Sequence, residues 1–201
     1  MKIFSNKKGI LGCCKKGFTL IETSVAISIL MVAVASPMSI AQRGLVSSVL
    51  SKDQMIATFL AQDAIEFIKN KRDEIGLNNN ISNPTYPTKW LGDGNVIFQN
   101  IYNSCVVSSL GCNIDTITGE TISNDNSPIT PLEIKMDGEG NLLYYGLDGN
   151  KNSKFTRSVK ILPTVGNSNE ALITVKVSWN STIGSQEVIL KNYIYNYWEN
   201  I

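Results

Sequence analysis

The chain has 201 residues, 43% of them hydrophobic, and a formal net charge of +1. That is enough for one domain with a full core and too little for two large ones. The near-neutral sum hides an asymmetry, because the first 17 residues carry Lys2, Lys7, Lys8, Lys15 and Lys16 with no acid, while the remainder holds 13 basic against 17 acidic residues. A mildly acidic body gives no electrostatic footprint for nucleic acid. The absence of histidine excludes Ser-His-Asp and Cys-His catalysis and histidine-ligated zinc. No motif for lysine or carboxylate chemistry appears either, so the residues predict a protein that is not an enzyme and uses no cofactor or metal.

From Phe18 to Ile40 the only charged residue is Glu22. At about 1.5 Å per residue this run spans roughly 35 Å, the depth of bilayer hydrocarbon. Lysines stay cytoplasmic, so the chain beyond Ile40 is expected to face outward. A carboxylate in hydrocarbon is costly and calls for a partner. Two plainer readings compete. An ordinary signal anchor has the same length and flanks. A secretory signal cut after Ala33-Val34-Ala35 meets the small-x-small rule, but Glu22 interrupts its apolar region and apolar character returns at Met38 and Ile40. Ile10-Leu11-Gly12-Cys13 has the outline of a lipoprotein box, yet too few apolar residues precede Cys13 for a signal region of roughly 7–15 residues.

The stretch Lys15-Lys16-Gly17-Phe18-Thr19-Leu20-Ile21-Glu22, with the apolar run behind it, resembles the cleavage and methylation signature of type IV prepilins and of the pseudopilins of type II secretion. The resemblance implies that a prepilin peptidase cuts between Gly17 and Phe18 on the cytoplasmic face and that the new amino terminus is methylated. Glu22 then becomes the fifth mature residue, where the family keeps a glutamate for assembly. Glycine before the cut leaves the backbone accessible to a peptidase. The glutamate would be neutralised by the Phe18 ammonium of a neighbouring subunit, a pairing worth more in a low-dielectric bundle than in water. Pro37 lies two residues earlier than in the commonest major-pilin pattern and the run is richer in serine, which sets the chain apart from a major subunit.

Beyond Arg43, Leu45, Val49, Ile56, Leu60, Ala64 and Phe67 recur at helical spacing, with Lys52, Asp53, Asp63, Lys69, Lys71 and Arg72 on the polar side. The spacing predicts one helix of roughly 55 residues, membrane-spanning in its first half (18–42) and amphipathic in its second (43–76). Pro37 is expected to kink or locally melt it, and Gly76 with Asn78-Asn79-Asn80 to end it. Residues 77–131 read as an irregular connection, with brief strands at Val96-Ile97-Phe98 and Cys105-Val106-Val107. Cys105 and Cys112 fall in the exported body, where their spacing closes a small disulfide loop. Two thiols without histidine are too few for structural zinc, and free thiols are the remaining alternative.

From Pro131 the pattern turns to strands. Residues 132–136 and 142–145 flank Asp137-Gly138-Glu139-Gly140-Asn141 as a hairpin. Further strands are expected at 155–162, 172–179 and 187–197, together a four- or five-stranded antiparallel meander covered by the amphipathic helix. The fold class is therefore α+β: a long amino-terminal helix packed on a carboxy-terminal antiparallel β-sheet over 132–201, the pilin lollipop. Asp137-x-Glu139-x-Asn141 and Asp148-x-Asn150-x-Asn152 have calcium-loop spacing, but neither has the twelfth-position glutamate, and turn chemistry accounts for both. Asn180-Ser181-Thr182 and Asn80-Ile81-Ser82 match the glycosylation sequon, as chance allows in an Asn-rich chain. Tyr193, Tyr195, Tyr197 and Trp198 read as sheet residues rather than a sugar-binding stripe.

The run from Lys154 to Ile161, the strand Ile173 to Trp179 and the closing strand look like those of minor pilins of the pilus-modification type and of I-type minor pseudopilins. The resemblance implies a structural minor subunit of a type IV pilus, with a cytoplasmic leader (1–17) removed by prepilin peptidase. Its partners would be other pilin or pseudopilin subunits, met through the amino-terminal helix, and an inner-membrane assembly platform. It would sit as a single-pass protein of the inner membrane, then in an extracellular or periplasmic filament. The alternatives are a pseudopilin of a secretion or DNA-uptake machine and a signal-anchored surface binding protein.

Overall fold

A computed structural model describes residues 17–82, 90–91, 101–125 and 129–197. Cys13, Cys14, Lys15, Lys16, the strand expected at 96–98, the side chains of the Asn80 sequon and Trp198 lie outside the described residues. The chain divides into two compact units, Met1–Ser47 and Ser48–Ile201.

In the first unit, residues 17–19 lie outside regular structure and helix α1 (Leu20–Ser82) begins. Residues 17–47 are exposed throughout, with Leu20 87% and Met31 68% accessible. Such an all-round apolar surface is stable in lipid or against neighbouring helices, not in water. The hydroxyl residues do not spoil it. Thr23 Oγ1 donates to the Leu20 carbonyl at 2.9 Å, Ser24 Oγ to Ile21 at 2.9 Å and Ser28 Oγ to Ser24 at 2.8 Å. Each hydroxyl is thus satisfied by its own helix and presents little polarity to its surroundings. α1 continues through Pro37 without a break in the helix, so the local melting anticipated there does not occur.

The second unit is built on the rest of α1, which runs past Gly76 to Ser82 rather than ending there. A glycine costs a helix about 1 kcal/mol, and the neighbouring Ile75, 1% exposed, ties that turn into the core. Strands β1 (Cys112–Ile114), β2 (Thr121–Ser123), β6 (Phe155–Thr164), β7 (Asn167–Ser181) and β8 (Gly184–Tyr195) form a five-stranded antiparallel sheet in the order β2-β1-β6-β7-β8. Strands β3 (Glu133–Met136), β4 (Leu142–Gly146) and β5 (Lys151–Asn152) form a separate sheet in the order β4-β3-β5. The expected hairpin at 133–146 is present, but it does not join the meander. Residues 105–107 are not a strand: they belong to a π-helical turn, Tyr102–Val107.

Period-two burial explains the sheet. Phe155, Arg157, Val159 and Ile161 of β6 and Ala171, Ile173, Val175, Val177 and Trp179 of β7 all face the core. Register puts Val159 opposite Val175 and Ile161 opposite Ile173. From α1 the core receives Ala57, Leu60, Ala61, Ala64, Ile65 and Ile68. Three alanines on that face let the helix lie close to the strands, where the full burial of branched side chains from both layers supplies the stabilisation.

Candidate processing and assembly site

The residues expected to carry processing and assembly lie at the start of α1. Gly17, Phe18 and Thr19 are exposed and non-helical. Thr19 occupies the N-cap position: its Oγ1 accepts the Glu22 backbone N–H at 3.3 Å, and its carbonyl accepts the Thr23 N–H at 3.2 Å. The sequence signal for this is Thr19-x-x-Glu22, the capping-box pattern, of which the Glu22 N–H to Thr19 Oγ1 bond is formed; composition and family likeness do not bring it out. Glu22 stands in the first turn, where a carboxylate interacts favourably with the helix dipole. Its side chain is exposed on the surface of α1.

In the second unit the functional geometry is structural. Cys105 and Cys112 form the expected disulfide, with a Cα–Cα distance of 4.8 Å. The loop they close is clasped by Asp125, which accepts the Ser109 N–H and hydroxyl at 2.9 Å each and the Leu110 N–H at 3.0 Å. Donors from Leu110, Ser108 and Ser109 pull the exposed Asp125 carboxyl down to about 2. Gly111 in that loop has φ +81°, and a Cβ there would stand 2.4 Å from the Val159 carbonyl oxygen. Only glycine permits so close an approach of the loop to β6.

Arg157 was visible in the sequence only as a cation among apolar neighbours. The structure buries it completely. Nη1 donates to the Leu60 carbonyl at 3.0 Å and to Asp63 Oδ2 at 3.3 Å, and Nη2 donates to the Ile114 carbonyl. Asp63 also accepts the Thr116 hydroxyl at 2.6 Å. One guanidinium thereby ties α1, β1 and β6 together, using the planar fork that lysine lacks. Beside it Asp115 is buried and accepts the N–H groups of Leu147, Ile117 and Thr118 at 2.7, 2.8 and 3.0 Å. Burial pushes the Asp115 carboxyl up, but those three donors and the charge of Arg157 outweigh it and hold it below the ordinary aspartate value. A second tie joins Asp53 of α1, 4% exposed, to Lys154 at 2.6 Å.

Asp137, Asp148 and the carboxy-terminal tyrosines take part in turn and sheet contacts. Asp137 accepts the N–H groups of Glu139 and Asn141 at 2.9 and 2.8 Å and the Asn141 side-chain amide at 3.0 Å, closing the β3–β4 turn. Asp148 accepts the Tyr144 hydroxyl at 3.2 Å. Tyr193 and Tyr195 lie on the exposed face of β8 on either side of the buried Ile194. The Tyr197 ring packs against the Arg72 guanidinium at 5.0 Å.

Residues 13–36 match the family model described as the prokaryotic N-terminal methylation motif. The match covers the leader junction and the exposed, apolar part of α1, which is long and apolar enough to cross a membrane. The chain therefore carries a type IV prepilin-like signature, and that signature with the apolar helix behind it fits a membrane-anchored, pilin- or pseudopilin-like protein. The motif implies processing by a prepilin peptidase and assembly through the membrane segment. No curated protein and no solved structure matches the chain.

Proposed function

We propose that this protein is a structural, non-catalytic minor subunit of a type IV pilus, cut between Gly17 and Phe18, N-methylated at Phe18 and assembled from the inner membrane. The observation that carries the reading is the coincidence of the methylation motif over residues 13–36 with a helix that starts within it, at Leu20, and exposes an apolar surface all round. Glu22 is the assembly residue: exposed in the first turn and without a countercharge of its own on α1 before Arg43, it is neutralised by the Phe18 ammonium of an adjoining subunit. The body contributes surface rather than chemistry, since its disulfide, aspartate clasps and buried arginine all serve to hold loops and helix to the sheet. A pseudopilin of a secretion machine would share the amino terminus and the assembly chemistry, so location decides between them.

The test is intact mass of the protein extracted from membranes. The expected species begins at Phe18, carries one added methyl group and lacks Cys13 and Cys14. Gly17→Val should leave the precursor uncut. A mature form beginning after Ala35 would sink the reading, and recovery only from the periplasm, never from sheared surface filaments, would move it to the pseudopilin machine.

A further inference from the structure

A peptidase takes its substrate as accessible, extended chain, and an amide wound into a helix is withheld by its own hydrogen bonds. α1 begins at Leu20, leaving Gly17, Phe18 and Thr19 outside it. Thr19 stands at the boundary, where its Oγ1 accepts the Glu22 N–H at 3.3 Å while its carbonyl takes the Thr23 N–H at 3.2 Å. An N-cap residue keeps non-helical backbone angles even as it closes the first helical bond. We propose that Thr19 is a positioning residue for leader removal: by capping α1 it holds the Gly17–Phe18 amide in extended chain at the membrane surface. This rests on the reading of Gly17–Phe18 as the cleaved bond. In that hydrolysis water adds across the amide, leaving a Gly17 carboxylate and a Phe18 ammonium. Thr19 forms and breaks no bond in it.

The bilayer decides what happens when the cap is lost. A helix in water frays inward from an uncapped end. Here the first turn adjoins hydrocarbon, where amides stripped of partners are costly. The N–H groups of the first turn are better satisfied by carbonyls one turn earlier, which draws Phe18 and Gly17 into the helix. Glycine resists that extension, being a weak helix former, but it does not specify where a helix stops. A side-chain acceptor at the cap does.

The experiment measures initial rates of leader release from the full-length precursor in membranes, using purified prepilin peptidase. Thr19→Val keeps the shape and loses the acceptor, whereas Thr19→Asn changes the shape and keeps it. Thr19→Val is expected to slow cleavage about five-fold, the factor matching a typical cap contribution, with equal membrane insertion and an unchanged cut site. Thr19→Ser and Thr19→Asn are expected within about two-fold of the parent, because both residues cap well. Thr19→Val cut at the parent rate overturns the positioning role and leaves the cleavage site standing. Thr19→Asn as slow as Thr19→Val shows that the peptidase reads side-chain shape, which also overturns it. A parent chain not cut at Gly17–Phe18 overturns both readings.

Discussion

At position 157 the alternation of β6 calls for an aliphatic side chain, and an arginine stands there instead. Its full burial is tolerated because Leu60, Asp63 and Ile114 accept from it and Asp115 lies close enough to lower its charging cost. Asp115 is the more informative residue to change. Its folded-state value is depressed, so the stability it contributes is present above the unfolded aspartate value and is lost as pH falls through the folded one. Asp115→Asn should cost about 2 kcal/mol at pH 7, the scale of charge-assisted bonds to backbone donors. The gap between variant and parent should begin to narrow as pH falls below the unfolded aspartate value of about 3.9 and go on narrowing as it falls through the lower folded one. Urea unfolding of both proteins at pH 7 and pH 3 checks this, and a gap that stays constant would show that the charge contributes nothing.

α1 serves two surroundings along its length. Residues up to 47 bury nothing in the described structure, whereas Ala57, Ala61, Ala64 and Ile68 are 0% exposed. A chain beginning at Val46 therefore keeps every helical contact with the core and is expected to be soluble, monomeric and cooperative in melting. A chain beginning at residue 76 loses the whole cover of β6 and β7 and exposes Val159, Ile161, Ile173, Val175 and Val177 together. A contiguous apolar face of that kind aggregates. It also strands Arg157, whose partners Leu60 and Asp63 are gone. Circular dichroism and gel filtration of the two chains decide the matter. Equal solubility and equal cooperativity would mean that the helix is no part of the body.

For the molecule as a whole, the prepilin-like terminus and the self-contained body predict that assembly and folding can be separated. Glu22→Leu removes the one charge between Phe18 and Ile40, so membrane insertion becomes easier. The folded body is untouched, because Glu22 lies outside its unit. The variant should accumulate in the membrane at parent levels and be missing from sheared filaments, as immunoblots of the two fractions would report. Recovery in filaments at the parent level would contradict pairing of Glu22 with a neighbouring amino terminus.

The amino-terminal features were legible in the sequence because their physics is local. A lysine-rich head, a glycine, a lone carboxylate and a membrane-length apolar run act through composition and spacing, and helix and strand periods are likewise written in consecutive residues. The Cys105–Cys112 bridge belongs with them, since only seven positions of chain separate the two thiols and the loop to be closed is short. Tertiary structure alone decided what depends on distant partners. Residues 112–114 and 121–123 carry little strand signal, yet they extend the main sheet because β6 offers an open edge. The hairpin at 133–146 had the right strands and turn, but its alliance with β5 rather than with the meander follows from backbone pairing that no spacing reveals. Gly76 would end an isolated helix, and the buried Ile75 carries α1 past it. Arg157 and Asp115 look like surface charges until Leu60, 97 positions away in the chain, and Leu147 close over them. A buried charge is stable only with its acceptors and donors in place, and those arrive with the fold.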